Sequence, residues 1–131
     1  GFKMIKYYTD PSTFVRDDVV KLFRKVYDLT YNELIHRLAE SAKYGYTMAV
    51  LNNYDAVCLY KKDFNIHAGD VVRIDTIVVD QQGMGHGSQM LSEIEMEYEL
   101  PLILDCQIDN REGQQFYEAR NFKRRAYSYV R

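Results

Sequence analysis

The sequence is poor in the residues and patterns that mark several protein classes. Two prolines in 131 residues, beside 47% apolar and 27% charged side chains, exclude collagen-like, low-complexity and disordered behaviour. The two cysteines, Cys58 and Cys106, fall in segments that read as buried strands and have no C-x-x-C partner, so a reduced, cytoplasmic setting is expected. His36, His67 and His86 are scattered, and no metal is expected. The longest apolar runs, around Thr76 to Val79 and Leu100 to Leu104, fall far below the roughly 20 residues of a membrane span. The start, Gly1-Phe2-Lys3, leads into no signal-type stretch, and no membrane association is expected. A net charge of −2 lacks the broad positive footprint of a nucleic-acid binder. The one dense basic run, Lys123-Arg124-Arg125, reads as a solvated strand edge. The length suits a single domain over residues 1–131.

What is present is a mixed α/β pattern. Alternation over Phe2 to Tyr8 predicts a strand, and Asp10-Pro11-Ser12 starts a helix whose stripe is Phe14, Val15, Val19, Leu22, Phe23 and Val26. Thr30 and Glu33 form a capping box for a second helix that stops near Gly45. Tyr46 to Leu51 and Ala56 to Tyr60 read as a hairpin around Asn52-Asn53-Tyr54-Asp55, with a further turn at His67-Ala68-Gly69-Asp70. Val71 to Val79 is the strongest strand, with the character of a central one. Helix Gln89 to Glu99, buried strand Leu102 to Ile108, helix Arg111 to Arg120 and strand Phe122 to Val130 complete the order β-α-α-β-β-β-α-β-α-β.

Between the strong strand and the helix after it lies Gln82-Gly83-Met84-Gly85-His86-Gly87-Ser88. A glycine-rich turn into a helix gathers free N–H groups and the positive end of the helix dipole at one point, where an anion binds. Glycines there permit positive φ and let a diphosphate approach the main chain. No lysine follows, which disfavours a P-loop. A dinucleotide fingerprint is a closer rival, with Gly83-Met84-Gly85 as its first half and Asp105 about 20 residues on. Ser88 stands in place of its third glycine, and too little chain follows for a second nucleotide-binding half.

The segment Gln82 to Gly87 resembles the Q/R-x-x-G-x-G/A signature of the GNAT superfamily of acyl-coenzyme-A-dependent N-acetyltransferases. Asn110 to Phe122 is similar to that family's N-x-x-A-x-x-F-Y-E-x-x-G-F segment, with Gly113 where alanine is usual and Asn121 where glycine is usual. Asn121 is an acceptable change because asparagine tolerates the left-handed conformation. The resemblance implies a mostly antiparallel central sheet of about six strands with about four helices. It also implies acetyl-CoA as cosubstrate, its pyrophosphate on the amides of Gln82, Gly83, Met84, Gly85, His86, Gly87 and Ser88, with the His86 side chain pointing outward. The pantetheine would lie along the backbone of Ile77, Val78 and Val79, near Asn110. Tyr117 would be the acid that protonates the departing thiolate, and transfer would be direct, within a ternary complex.

For the base, Asp75 is the candidate, since strict alternation puts it on the strand face of Ile77 and Val79. It could equally pair with Arg73. The acceptor implied is a small-molecule or peptide amine, gripped around Tyr27, Asp28, Leu29 and Tyr31. Family members commonly end with two strands after the last helix; this sequence has one, and an open sheet edge there makes a homodimer a reasonable expectation. A catalytically idle coenzyme-A-binding or protein-interaction domain of the same fold is the alternative reading, and a dinucleotide-binding oxidoreductase is third.

Overall fold

The computed structural model describes residues 4–131. Strand β1 (Ile5–Tyr8) is followed by helices α1 (Pro11–Phe14), α2 (Asp17–Phe23) and α3 (Tyr31–Lys43). Then come β2 (Thr47–Leu51), β3 (Ala56–Asn65), β4 (Gly69–Val79), α4 (His86–Tyr98), β5 (Leu102–Leu104) and α5 (Arg111–Glu118). The strands form one sheet in the order β1-β2-β3-β4-β5, antiparallel except for the parallel β4–β5 pair. The expected mixed, mostly antiparallel architecture is therefore present, with five strands and five helices among the described residues rather than about six and about four. The first three positions of the strand expected from Phe2 lie outside the described residues.

Local chemistry accounts for many of the boundaries. Asp10 caps α1 by accepting from Ser12 N–H, with Pro11 in the first turn. Thr30 Oγ1 accepts from Glu33 N–H at 3.1 Å to start α3, and Gly45 closes that region at φ +85°. Asn52 and Tyr54 take positive φ in the β2–β3 turn, where Asn52 Nδ2 donates to Asp55 Oδ2 at 2.8 Å.

The single helix expected over Phe14 to Val26 is two helices. Phe14 and Val19 are both fully buried, and five residues on one continuous helix would turn them roughly 140° apart. Extended Arg16 breaks the helix and lets both side chains reach the core. That core lies on both sides of the sheet. Phe14, Val19, Phe23, Leu34 and Leu38 pack on Met48, Val50, Val57, Leu59 and Val78 from one side. Met90, Leu91 and Ile94 of α4 pack on Cys58, Tyr60, Val72 and Ile74 from the other, where Phe116, Tyr117 and Phe122 join them.

Three expectations fail at the C-terminal end. The strand from Leu102 to Ile108 is only three residues long and half-buried, so it is a short edge strand rather than a covered one. Cys106 consequently lies beyond it, half-buried, its Sγ 3.7 Å from the Asn110 carbonyl. The strand expected over Phe122 to Val130 does not form: Tyr127, Tyr129 and Val130 are 85%, 90% and 99% exposed. A strand needs a ladder partner, and a three-residue edge offers too few donors and acceptors to template one. Within the segment Arg124 instead turns back to α5, pairing with Glu118 Oε1 at 2.7 Å and Gln114 Oε1 at 3.1 Å.

Candidate active site

The site is organised by an opening in the sheet. β5 pairs with β4 only at Val72, Arg73 and Ile74. From Asp75 to Val79, β4 keeps β3 on one side and, among the described residues, has no strand on the other. An unpaired strand edge offers main-chain donors and acceptors to an extended ligand. The opening begins at a β-bulge: Tyr60 faces Ile74 and Leu59 faces Thr76, which leaves Asp75 as the extra residue. A bulge bends its strand and shifts the alternation. Ile74, Ile77 and Val79 accordingly pack in one cluster while Val78 is in the other, so the strict parity expected to align Asp75 with Ile77 and Val79 does not carry across residue 75.

Beyond β4 the glycine loop leads into α4. Gly83 and Gly85 sit at φ +78° and +77°, the left-handed region that favours glycine, with open space where a Cβ would be. Gly87 is needed for a different reason. A Cβ there would lie 3.0 Å from Phe116 Cζ and 3.6 Å from Val79 Cγ1, so the glycine lets α4 approach both α5 and β4. The first bond of the α4 ladder runs from Gln89 N–H to Gly85 C=O, so the N–H groups of His86, Gly87 and Ser88 precede it. The loop's start is tied down by Asp80, whose N–H donates to Asp55 C=O and whose carboxylate and carbonyl both accept from Lys25 Nζ.

His86 does not point outward as expected. Its Nε2 lies 3.7 Å from Asp55 Oδ2 and its side chain is 19% exposed, because the β2–β3 turn folds beside the start of α4. Its Nδ1 is buried without a partner among the described residues.

Tyr117 is held edge-on between Phe116 and Phe122, at centroid distances of 5.2 and 5.5 Å. Burial, helped by the nearby Cys106, Cys58 and Tyr27, pushes its hydroxyl up to about 12, so it stays protonated. Asn110 caps α5, its Oδ1 accepting from Gly113 N–H at 3.0 Å. An alanine at 113 would place its Cβ 2.5 Å from Asn110 Nδ2, so the glycine at this position suits the cap.

On the other wall, Tyr27 stacks on buried Phe23 and its hydroxyl is hydrogen-bonded to Thr76 Oγ1. Thr76 donates to Asp75 Oδ2 at 2.8 Å. Burial pushes the Tyr27 hydroxyl up, and the Asp75 charge adds to the shift. Thr76 was not singled out by sequence; its signal was one hydroxyl heading an apolar run, now 8% exposed. Surface cavities of about 400 Å³ beside Asp17, Lys21, Arg24 and Tyr31, and about 310 Å³ beside Lys62, Phe64 and Leu100, share no residue with the loop, the bulge or Tyr117. Among the described residues no group of three or more His, Cys, Asp or Glu is placed to hold a metal, and no helix is long and apolar enough to cross a membrane.

No protein-family model and no curated protein sequence matches the chain. Solved structures do. An aminoglycoside N-acetyltransferase in complex with coenzyme A superposes with a TM-score of 0.75 at 12% identity, over 99% of this chain and 95% of that one. A ribosomal-protein-alanine N-acetyltransferase from Brucella melitensis biovar Abortus gives 0.73 at 14% identity, over 98% and 97%. A GNAT-family acetyltransferase from Streptococcus pneumoniae gives 0.68 at 14% identity, over 99% and 98%. With a mostly antiparallel sheet opened beside its one parallel pair, β4–β5, and a glycine loop at that opening, the chain has the fold of the GNAT-superfamily acetyltransferases.

Proposed function

We propose that the protein transfers the acetyl group of acetyl-CoA to a primary amine. The observation that carries this reading is the coincidence of an anion-suited loop, Gln82 to Ser88, with the unpaired edge of β4 that leads into it. In this reading the loop amides hold the pyrophosphate, with several weak dipole interactions of about 0.3–1 kcal/mol each acting together. The pantetheine lies as a pseudo-strand along Ile77, Val78 and Val79, and the Asn110 amide nitrogen, left unused by the cap, contacts it.

Amine attack forms the C–N bond as the C–S bond breaks, and Tyr117, neutral in its buried setting, supplies the proton that the thiolate takes up. Asp75, exposed at the bulge, is the acceptor-side base. Coenzyme A in the aminoglycoside-acetyltransferase complex supports the cosubstrate, and amine acceptors in that enzyme and in the ribosomal-protein acetyltransferase support the reaction class. The acceptor wall, formed by Tyr27, Thr76 and the Asp75 carboxylate, suits a cationic amine.

Isothermal calorimetry with acetyl-CoA tests the first half of the reading, and coenzyme A release with a panel of primary amines tests the second. Saturable binding with release of free thiol is expected. Absence of binding at millimolar acetyl-CoA would sink the reading, whereas binding without transfer to any amine would favour the idle-domain alternative.

A further inference from the structure

The three residues at the bulge are joined by directional hydrogen bonds. Thr76 has one hydroxyl proton, and it goes to Asp75 Oδ2. The bond between Thr76 Oγ1 and Tyr27 therefore has Tyr27 as donor and Thr76 as acceptor. That leaves the lone pairs of the Tyr27 oxygen as the open end of the chain, and an ammonium N–H is the donor they suit. Asp75, a carboxylate, only accepts, and it stands exposed at the far end. The chain thus runs one way, from the hydroxyl of Tyr27, a residue 36% exposed, to the exposed carboxylate of Asp75.

Its head is well held. The Tyr27 ring stacks on Phe23, at 6.0 Å between centroids, and Phe23 is 2% exposed. Thr76 and Asp75 open the stretch of β4 that has no second neighbouring strand among the described residues, directly before Ile77, where the reading above lays the pantetheine. Among the neighbouring titratable groups, the Asp75 charge opposes ionisation of Tyr46, just before β2, and of Cys58 on β3. Arg73, two residues before Asp75, is engaged by Asp63 at 3.2 Å.

We propose that Tyr27, Thr76 and Asp75 form a proton relay that deprotonates the ammonium group of the acceptor, an inference that rests on the acetyltransferase reading above. The ammonium proton passes to the Tyr27 oxygen, the Tyr27 proton to Thr76 and the Thr76 proton to Asp75 Oδ2, which releases it to solvent. The neutral amine then attacks, and the C–S bond breaks as the C–N bond forms. The thiolate takes the Tyr117 proton, and Tyr117 regains the proton that the new amide nitrogen sheds. One proton is released to solvent per turnover, as the conversion of an ammonium ion and a thioester to an amide and a thiol requires. Tyr27 touches the substrate; Thr76 acts through it.

The test measures acetyl transfer to tyramine, spermidine and a lysine-containing hexapeptide by the wild type, Thr76→Val, Thr76→Ser and Tyr27→Phe, with a denaturation midpoint for each. At about pH 7 Thr76→Val and Tyr27→Phe are expected to lose on the order of a hundredfold in kcat, with KM for acetyl-CoA within about twofold of wild type. Thr76→Ser, which keeps the hydroxyl, is expected to recover most of the rate. The deficit is expected to shrink toward about pH 9.5, where more of the amine arrives already neutral. If Thr76→Val works within about threefold of wild type, if serine fails as valine does, or if the deficit is the same at high pH, the relay is wrong and the acetyltransferase reading stands. If wild type binds acetyl-CoA and acetylates none of the three amines, both fall. Should Thr76→Val not fold, Thr76→Ser and Tyr27→Phe decide alone, serine active and phenylalanine impaired being the supporting pair and any other pattern the overturning one.

Discussion

Gly87, the second residue of α4, stands against the ring of Phe116 on α5, close enough that a Cβ at position 87 would lie 3.0 Å from Phe116 Cζ. The ring is also held by Arg120, which stacks 3.6 Å from its centroid and donates to the Phe116 carbonyl. The glycine loop and the helix that carries Tyr117 therefore share one contact. Gly87→Val should cost about 1–3 kcal/mol by overpacking, and Phe116→Leu in the same chain should return part of it. Urea denaturation of the two single variants and the double variant measures the coupling. Strictly additive effects would mean that the contact does not constrain the helices.

Gly83 and Gly85 pose the opposite case, with space for a side chain and a backbone that resists one. Alanine at either position should introduce about 1–2 kcal/mol of left-handed strain. The strain can be relieved only by rearranging the loop, so affinity for acetyl-CoA should fall by about tenfold, with the melting temperature lowered by a few degrees. Calorimetry on Gly83→Ala and Gly85→Ala tests this; unchanged affinity would detach the loop from the pyrophosphate.

Tyr117→Phe removes one hydroxyl from a site packed by Phe116 and Phe122. In the proposed mechanism kcat should drop on the order of a hundredfold, and the dissociation constant of acetyl-CoA should not move. Stopped-flow detection of free thiol, paired with calorimetry, separates the two. Full activity in the phenylalanine variant would remove Tyr117 from the chemistry.

Stability at high pH follows from the buried tyrosines. Burial first, with nearby charges added, pushes the Tyr7 and Tyr117 hydroxyls up to about 12, above their ordinary value of 10.0, and raises Tyr60 as well. Below pH 10 these groups are protonated in both folded and unfolded chains. As pH rises from 10 toward 12 the unfolded chain loses those protons first, so the folded state loses stability across that window. Chemical denaturation at stepped pH should show this decline, smaller in Tyr7→Phe than in wild type. A flat profile to pH 12 would contradict the burial argument.

Capping gives a local check. Asn110→Ala should cost about 1 kcal/mol through the exposed α5 cap. If Asn110 Nδ2 also reaches the pantetheine, the KM for acetyl-CoA should rise in the same variant. A stability loss with unchanged KM would assign Asn110 to the cap alone.

The sequence by itself determined whatever depends on a few neighbouring residues. The Thr30 cap, the Asn52–Asp55 turn, the stop at Gly45, the glycine loop with its positive φ angles, and left-handed Asn121 at φ +68° were all legible because each is decided by local backbone sterics or by a hydrogen bond within one turn. Tertiary structure decided the rest. The bulge that makes Asp75 an extra residue exists only against β3, and the Tyr27–Thr76 bond joins positions 49 apart in the chain. The same holds for His86 turning to Asp55, and for Phe122 to Val130, which alternates as a strand would but finds no ladder. Periodicity states which face of a segment is apolar; it cannot state which partner is present to receive it.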